Sequence, residues 1–448
     1  MVKRTLAVLM GFCLLLGAAA CSQQPQATDF DEAALTKAAQ QAEQQLREGD
    51  YASVYASFDS TMQSAMTEED LKTSWETAAA TAGQYVEQVS ANGAESGGYY
   101  SVDVISRYEK RSLDVRFTFD TEGKIAGLHT SFVDLPEESD TWTEEAVTVT
   151  ADASYPLPGL LTLPKGVEKA PVVILVQGSG ASDKNETIGA AGNMPFQDIA
   201  HGLAAQGIAV LRYDKRTYCY PAAFSDPSSV TIELETLDDV NAAIALMEQD
   251  SRIDASRIYV LGHSLGGMLT PKIAAEHPEL AGVISMAGSL RQLWEISYDQ
   301  NMDALEAMGE VPDDQKALLE QQLKQLEENY SKLEDGSFAS LPGDTTLMGL
   351  PVTYWKSLSD ANGMNYLDQV QQPMLILQGS ADFQVYPDKD YPLWQEAVGS
   401  RDNVTFHLYD GLNHLMMPTS GLRTTADYDA ENHVSQTVID DIASFVNG

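Results

Sequence analysis

From residue 146 onward, short apolar runs alternate with amphipathic stretches of helical period. "PVVILVQ" is followed by "PFQDIAHGLAAQ", "IAVLRYD" by "TLDDVNAAIALMEQ", and "RIYVLGHS" by "GMLTPKIAAEH", before "LAGVISMAG". Strands without a polar face must be covered on both sides, so the pattern predicts an α/β unit: a mostly parallel sheet with helices on each face. Such sheets hold their ligands beyond the carboxyl ends of the strands. At that end of a central strand stands Ser264, in "YVLGHSLGGML".

A Gly-x-Ser-x-Gly pattern arises by chance in roughly one chain of this length in seven, so its setting must carry the argument. Here the serine falls where a strand turns sharply into a helix. Gly262, Gly266 and Gly267 leave room for that turn and expose the hydroxyl at the helix amino terminus. A serine hydroxyl is a weak nucleophile until a base takes its proton, and the base needs a carboxylate to orient it. On this architecture both partners follow the serine, acid first, each on a loop after a later strand. Asp382 follows "PMLILQGS" and His414 follows "VTFHLYDG", which fits both order and context.

Other titratable residues fit less well. Asp388 and Asp390 lie further from the strand end, at the start of a helix, and Asp410 is too close to the last strand. His407 lies within that strand, His263 beside the nucleophile reads as structural, and Cys219 lacks a local histidine. Acyl transfer also needs amide donors for the developing oxyanion. Leu265, the residue after the nucleophile, offers one; Ser179 in "VQGSGASD" offers the other, with Gly178 turning the chain. No Cys-x-x-Cys or His-Glu-x-x-His occurs, so no metal is implied, and this chemistry needs no cofactor.

The blocks "QGSGASDKNETIG", "PFQDIAHGLAAQGIAVLRYDKRT", "GHSLGGML", "AGSLRQLWEISYDQ", "PMLILQGSADFQV" and "GLNHLMM" together resemble the α/β-hydrolases, and within them a bacterial carboxylesterase branch near the dienelactone hydrolases. The resemblance covers residues 146–448 and implies Ser264 as nucleophile, Asp382 as acid, His414 as base and Ser179 as an oxyanion donor. Two positions depart from the pattern: Gln177 stands where many relatives have histidine, and Phe383 where the branch often has tyrosine. Between about 290 and 360 the alternation breaks, and Leu319, Leu323, Leu326, Tyr330 and Leu333 follow a one-seam helical spacing. An insertion there is similar to the cap of an α/β-hydrolase. Trp294, Tyr298, Met302, Met308, Met348, Tyr354 and Trp355 supply it with apolar surface, most of it cap core and the remainder pocket lining.

Ahead of this unit, residues 29–133 open with helical sequence and change to strand period in "LDVRFTFD", an α+β pattern that resembles nuclear-transport-factor-2-like domains of unknown function. It holds no credible catalytic set, so a packing or partner-binding role is expected. The acidic stretch 134–145 reads as a linker. Residues 1–21, with Lys3 and Arg4 before an apolar run and small residues before Cys21, have the layout of a secretory signal peptide and resemble a bacterial lipoprotein leader. The fifteen residues from Leu6 to Ala20 are too few to span a bilayer. That resemblance implies cleavage before Cys21, lipidation of its thiol, and a membrane-tethered protein facing outside the cytoplasm. Cys219 is then the only free thiol, and no intramolecular disulfide forms.

A net charge of −39 argues against nucleic acid and polyanionic substrates. The reading is a cofactor-free serine carboxylesterase acting on short to medium neutral acyl esters. Two alternatives stay open: a serine peptidase of the acyl-aminoacyl or prolyl type, whose propeller repeats are missing from residues 29–133, and a non-catalytic binding lipoprotein with a relict hydrolase core.

Overall fold

The computed structural model describes residues 30–307 and 313–448, and the chain divides into two compact units, residues 1–135 and 136–448. The signal peptide and Cys21 lie outside the described residues, as does Met308.

The first unit begins with helices α1 (Glu32–Glu48), α2 (Tyr51–Ala56), α3 (Ser60–Ala65) and α4 (Glu68–Ala82). Their starts are written in the sequence: Asp31, Asp50 and Asp59 each accept a hydrogen bond from a first-turn amide, and Thr67 with Asp70 closes a capping box. Strands β1 (Tyr85–Ser96), β2 (Tyr99–Tyr108), β3 (Ser112–Phe119) and β4 (Ile125–Val133) follow as an antiparallel meander. The β1–β2 turn has positive φ at both Gly97 and Gly98, as a two-residue hairpin requires. Leu113, Val115, Phe117 and Phe119 are buried beneath the helices with Val102 and Val104, whereas Arg116 between them is exposed. The period-2 reading of β3 and the α+β order are therefore observed.

The second unit is built on an eight-stranded sheet in the order β14-β13-β10-β9-β7-β8-β6-β5. Its strands are β5 (Trp142–Val149), β6 (Leu157–Pro164), β7 (Ala170–Val176), β8 (Ala209–Tyr213), β9 (Ile253–His263), β10 (Gly282–Met286), β13 (Met374–Gly379) and β14 (Val404–Tyr409); β5–β6 and β6–β8 pair antiparallel and the rest parallel. Alternate residues of β7 serve opposite cores: Val172, Ile174 and Val176 face one, Val173 and Leu175 the other. Helices α5 (Pro195–Ala204) and α13 (Gln436–Asn447) cover the second face. Helices α7 (Asp238–Gln249), α8 (Leu265–Glu276) and α12 (Asp390–Val398) cover the first, and a single turn α6 (Arg216–Cys219) follows β8. Both faces of the sheet are thus closed by apolar helix faces, which is why its central strands can be largely apolar.

Between β10 and β13 lie α9 (Leu293–Ala307), α10 (Asp313–Glu334), the hairpin β11 (Thr346–Leu347) and β12 (Leu350–Pro351), and α11 (Val352–Ala361). This is the expected insertion, and the 4-3-4-3 seam of α10 is its inward face: Leu319, Leu323, Leu326 and Tyr330 are partly buried and Leu333 fully. The linker expected over 134–145 is shorter than that. Trp142 through Glu145 already pair with β6, because Glu144 is buried against Arg212 and Trp142 stacks on His201 with ring centroids 4.0 Å apart.

Candidate active site

Strand β9 delivers Ser264 into α8 through a backbone that only a crowded turn sustains. Ser264 has φ 53° and ψ −112°, a left-handed φ unusual for a residue with a Cβ. Its N–H is held by the Met286 carbonyl at 2.9 Å and its own carbonyl accepts from Met268 N–H at 2.9 Å. The three glycines answer to close approach: a Cβ on Gly262 would overlap the Gly266 carbonyl, one on Gly266 the Val176 carbonyl, and one on Gly267 would lie 2.9 Å from Gly288 Cα.

Asp382 follows β13 and His414 follows β14, and the structure brings the two side chains together: His414 Nδ1 lies 2.8 Å from Asp382 Oδ2, with both residues buried. The carboxylate is fixed from several directions. Oδ1 accepts from the amides of Gln384 (2.8 Å) and Val385 (3.0 Å), and Oδ2 also accepts from Gln378 Nε2 (2.9 Å). Its orientation toward the imidazole is fixed by these three donors. The histidine loop is shaped by Asn413, whose Oδ1 accepts from Leu415 and Met417 amides while Nδ2 donates to Asp427.

Ser264 opens on a cavity of about 600 Å³ that is also lined by Ser179 and Leu265. As the first residue of α8, Leu265 has no intrahelical acceptor for its N–H. The Ser179 loop is clamped on both sides of Gly178: the Gly178 N–H donates to Glu186 Oε1 at 2.6 Å, and its carbonyl accepts from Lys215 Nζ at 2.6 Å. Gln177, where histidine was the family expectation, donates from Nε2 to the Tyr213 carbonyl, and Phe383 stacks on Tyr428 with centroids 5.4 Å apart. Both departures are filled by structural contacts.

The rest of the lining mixes apolar side chains, among them Phe224, Met268, Leu293 and Val385, with polar ones such as Ser289, Gln300 and Gln384. Of the residues named for the cap, Tyr354 lines the cavity, whereas Trp294 and Trp355 are packed in the core and Tyr298 stacks on Tyr330 at 4.2 Å. Among the described lining residues Glu235 is the only charged one, and Lys215 Nζ meets it at 2.6 Å. Burial, the Glu235 charge and a hydrogen bond to it hold the Tyr354 phenol well above its ordinary range, so it stays protonated.

Most of the residues that fit the triad less well have structural partners. Asp390 begins α12 and is bound by Arg291, Asp410 accepts from Ser380 Oγ, and His407 pairs with Asp441 at 3.2 Å. Burial pushes the Cys219 thiol up to about 12, which removes the thiolate. Sequence reasoning missed Glu186, Gln378 and Asn413, which hold the loops around the serine and the histidine; single polar residues in loops carry no period or spacing that would mark them.

A family model described as serine aminopeptidase, S33, matches residues 194–418. Residues 39–128 match a model described as a protein of unknown function (DUF3887). The chain is 36% identical over 345 residues to Esterase EstD of Thermotoga maritima, covering 76% of this chain and 78% of that protein. It is 27% identical over 164 residues to the putative esterase NocK of Nocardia uniformis, 34% of this chain and 43% of that one. Among solved structures, Est1E from Butyrivibrio proteoclasticus aligns with a TM-score of 0.41 at 18% identity, over 67% of this chain and 95% of its own.

Proposed function

The chain belongs to the serine aminopeptidase S33 family of α/β-hydrolases and is an enzyme of the esterase and hydrolase class, and from that premise we propose that it is a carboxylesterase whose nucleophile is Ser264. The observation that carries the proposal is the strained Ser264 opening on a cavity, with the oriented Asp382–His414 pair following β13 and β14 of the same sheet.

In this cycle Ser264 Oγ attacks the acyl carbon while His414 Nε2 takes its proton. The negative charge that develops on the carbonyl oxygen is met by the amides of Leu265 and Ser179. The intermediate collapses, the C–O bond breaks, and the departing alcohol takes the proton from His414. Water, deprotonated by the same nitrogen, then attacks the acyl-enzyme and releases the carboxylic acid and the Ser264 hydroxyl. Asp382 stabilises the imidazolium in both halves.

The cavity supports neutral acyl groups of short to medium length: its described lining has no lysine or arginine, and its volume lies within the range of small-molecule sites. The quoted sequence blocks support a place near the dienelactone-hydrolase branch. For residues 29–133, four helices followed by an antiparallel sheet support the nuclear-transport-factor-2-like reading, with a packing or partner-binding role. The leader supports export and tethering through a lipid on Cys21, outside the cytoplasm.

A second reading, aminopeptidase activity, draws on the family's description and on the Glu235 carboxylate in the cavity, which could face an ammonium group. Lys215 already neutralises Glu235, which favours the ester. The test is kcat/KM of residues 22–448 on p-nitrophenyl acetate, butyrate, octanoate, palmitate and hemisuccinate, beside aminoacyl p-nitroanilides. Turnover concentrated in the acetyl-to-octanoyl esters is expected. A palmitoyl or hemisuccinyl optimum would overturn the acyl assignment, and anilide turnover of equal efficiency would promote the peptidase.

A further inference from the structure

Next to the Asp382–His414 pair lies a second carboxylate and imidazole. His263 and Glu186 are both buried, and His263 Nδ1 is 2.7 Å from Glu186 Oε2, an ion pair whose approach is not aligned as a hydrogen bond. The other ends of both side chains are occupied. Glu186 Oε1 accepts from the Gly178 N–H at 2.6 Å, and His263 Nε2 is 3.1 Å from the His414 carbonyl, which can only accept. Glu186 itself sits at φ 50°, a conformation that a non-glycine residue holds only under constraint from its surroundings.

Counting protons gives the state of the pair. His263 Nε2 must carry a hydrogen to reach the His414 carbonyl. An imidazole lone pair and a carboxylate oxygen would repel each other at 2.7 Å in a buried site, so Nδ1 carries a proton as well and the pair is ionic. The titratable groups around the His263 ring are Glu186 from the loop after β7, Asp382 from the loop after β13, and the His414 ring, 4.7 Å away between centroids; Phe196 of α5 closes the remaining side without charge. Burial pulls the His263 pKa down, but the Glu186 charge and hydrogen bonding outweigh it and hold His263 above its ordinary value.

We propose that Glu186 and His263 are positioning residues whose buried ion pair ties the Ser179 loop to the loop carrying His414. The inference rests on the reading of Ser264, Leu265, Ser179 and His414 given above. Through Gly178 the pair fixes one side of the oxyanion site; through the His414 carbonyl it fixes the base. The two halves of the machinery are otherwise carried by separate loops. The gain is geometric, and small misplacements of reacting groups cost rate more than binding.

The test compares Glu186→Leu, Glu186→Gln and wild type on p-nitrophenyl butyrate. Glu186→Leu removes both contacts and is expected to lower kcat by about tenfold or more with KM changed by less than about threefold. Glu186→Gln keeps an acceptor for Gly178 and offers an amide donor to a neutral Nδ1, so it should keep kcat within about threefold of wild type. The independent readout is nitrogen NMR of histidine-labelled protein in the Ser264→Ala background, assigned by His263→Gln. Both His263 ring nitrogens should be protonated at neutral pH, and only Nε2 once Glu186→Gln is added. A folded Glu186→Leu with wild-type kcat, or a neutral His263 with Glu186 present, would overturn the inference; if Glu186→Leu does not fold, the NMR comparison decides. Absence of ester turnover by the wild type would refute the esterase reading instead, and the state of His263 would still be measured.

Discussion

Arg212 and Glu144 meet at 2.7 Å with neither side chain exposed to solvent. The guanidinium also reaches Thr162 and Asn185, and His201 Nε2 lies 2.9 Å from the same Glu144 oxygen, so the pair joins β5, β6, β8 and α5. Burial raises the Glu144 pKa, but the His201 hydrogen bond and the Arg212 charge and hydrogen bond outweigh it and hold the carboxyl at about 2 against an ordinary 4.5.

A lowered folded-state pKa stabilises the fold above the unfolded value and ceases to do so as protons bind the native state. Stability from Glu144 is therefore complete above pH 4.5 and lost as pH falls from 4.5 toward about 2. The difference is worth about 3 kcal/mol. Denaturant unfolding of wild type and Glu144→Gln at pH 7, 4.5 and 3 measures it: the gap between them should narrow as pH falls. Glu144→Leu, which strands a buried guanidinium, should lose about 3–5 kcal/mol at pH 7. A gap independent of pH would contradict the assignment.

The elbow tolerates no side chain at Gly262, since the added Cβ would meet backbone atoms of Gly266 and Gly267 rather than a flexible side chain. Gly262→Ala should cost more than the about 1–3 kcal/mol typical of overpacking and should abolish turnover in whatever folded protein remains. Wild-type kcat and Tm in Gly262→Ala would show that the turn is looser than described.

The α/β architecture was legible because the central strands β7, β8, β10 and β13 are largely apolar on both faces and amphipathic helices such as α5 and α13 alternate with the strands, so no other layering hides the apolar surface. That Asp382 and His414 meet was legible because loops after the last two strands can supply only a few titratable residues. The supporting set was not. Glu186 lies eight residues after Gly178 and is joined to it only because the intervening loop folds back, and Glu144 sits in an acidic stretch that composition assigns to a linker. Which of the cap aromatics would line the cavity was not legible either. Trp294 and Trp355 are large enough to be drawn into the packing between cap and sheet, with Trp355 Nε1 donating to the Leu347 carbonyl, so smaller side chains face the serine.

Tethering through Cys21 predicts that full-length protein made in a bacterium fractionates with membranes and takes up a fatty-acid analogue during metabolic labelling. Cys21→Ala should lose the label, because the N-terminal lipid is attached through that thiol. Undiminished label in Cys21→Ala would rule out lipidation at this residue.

Ser264 as nucleophile is tested most directly by mass spectrometry after treatment with a serine-directed organophosphonate. Wild type should gain one adduct, located on the peptide containing Ser264, and lose ester turnover in step with it. Ser264→Ala should gain none and hydrolyse no ester while unfolding at nearly the wild-type temperature, since one small residue replaces another at the elbow. Adduct formation on Ser264→Ala at equal stoichiometry would place the nucleophile elsewhere and contradict the proposed mechanism.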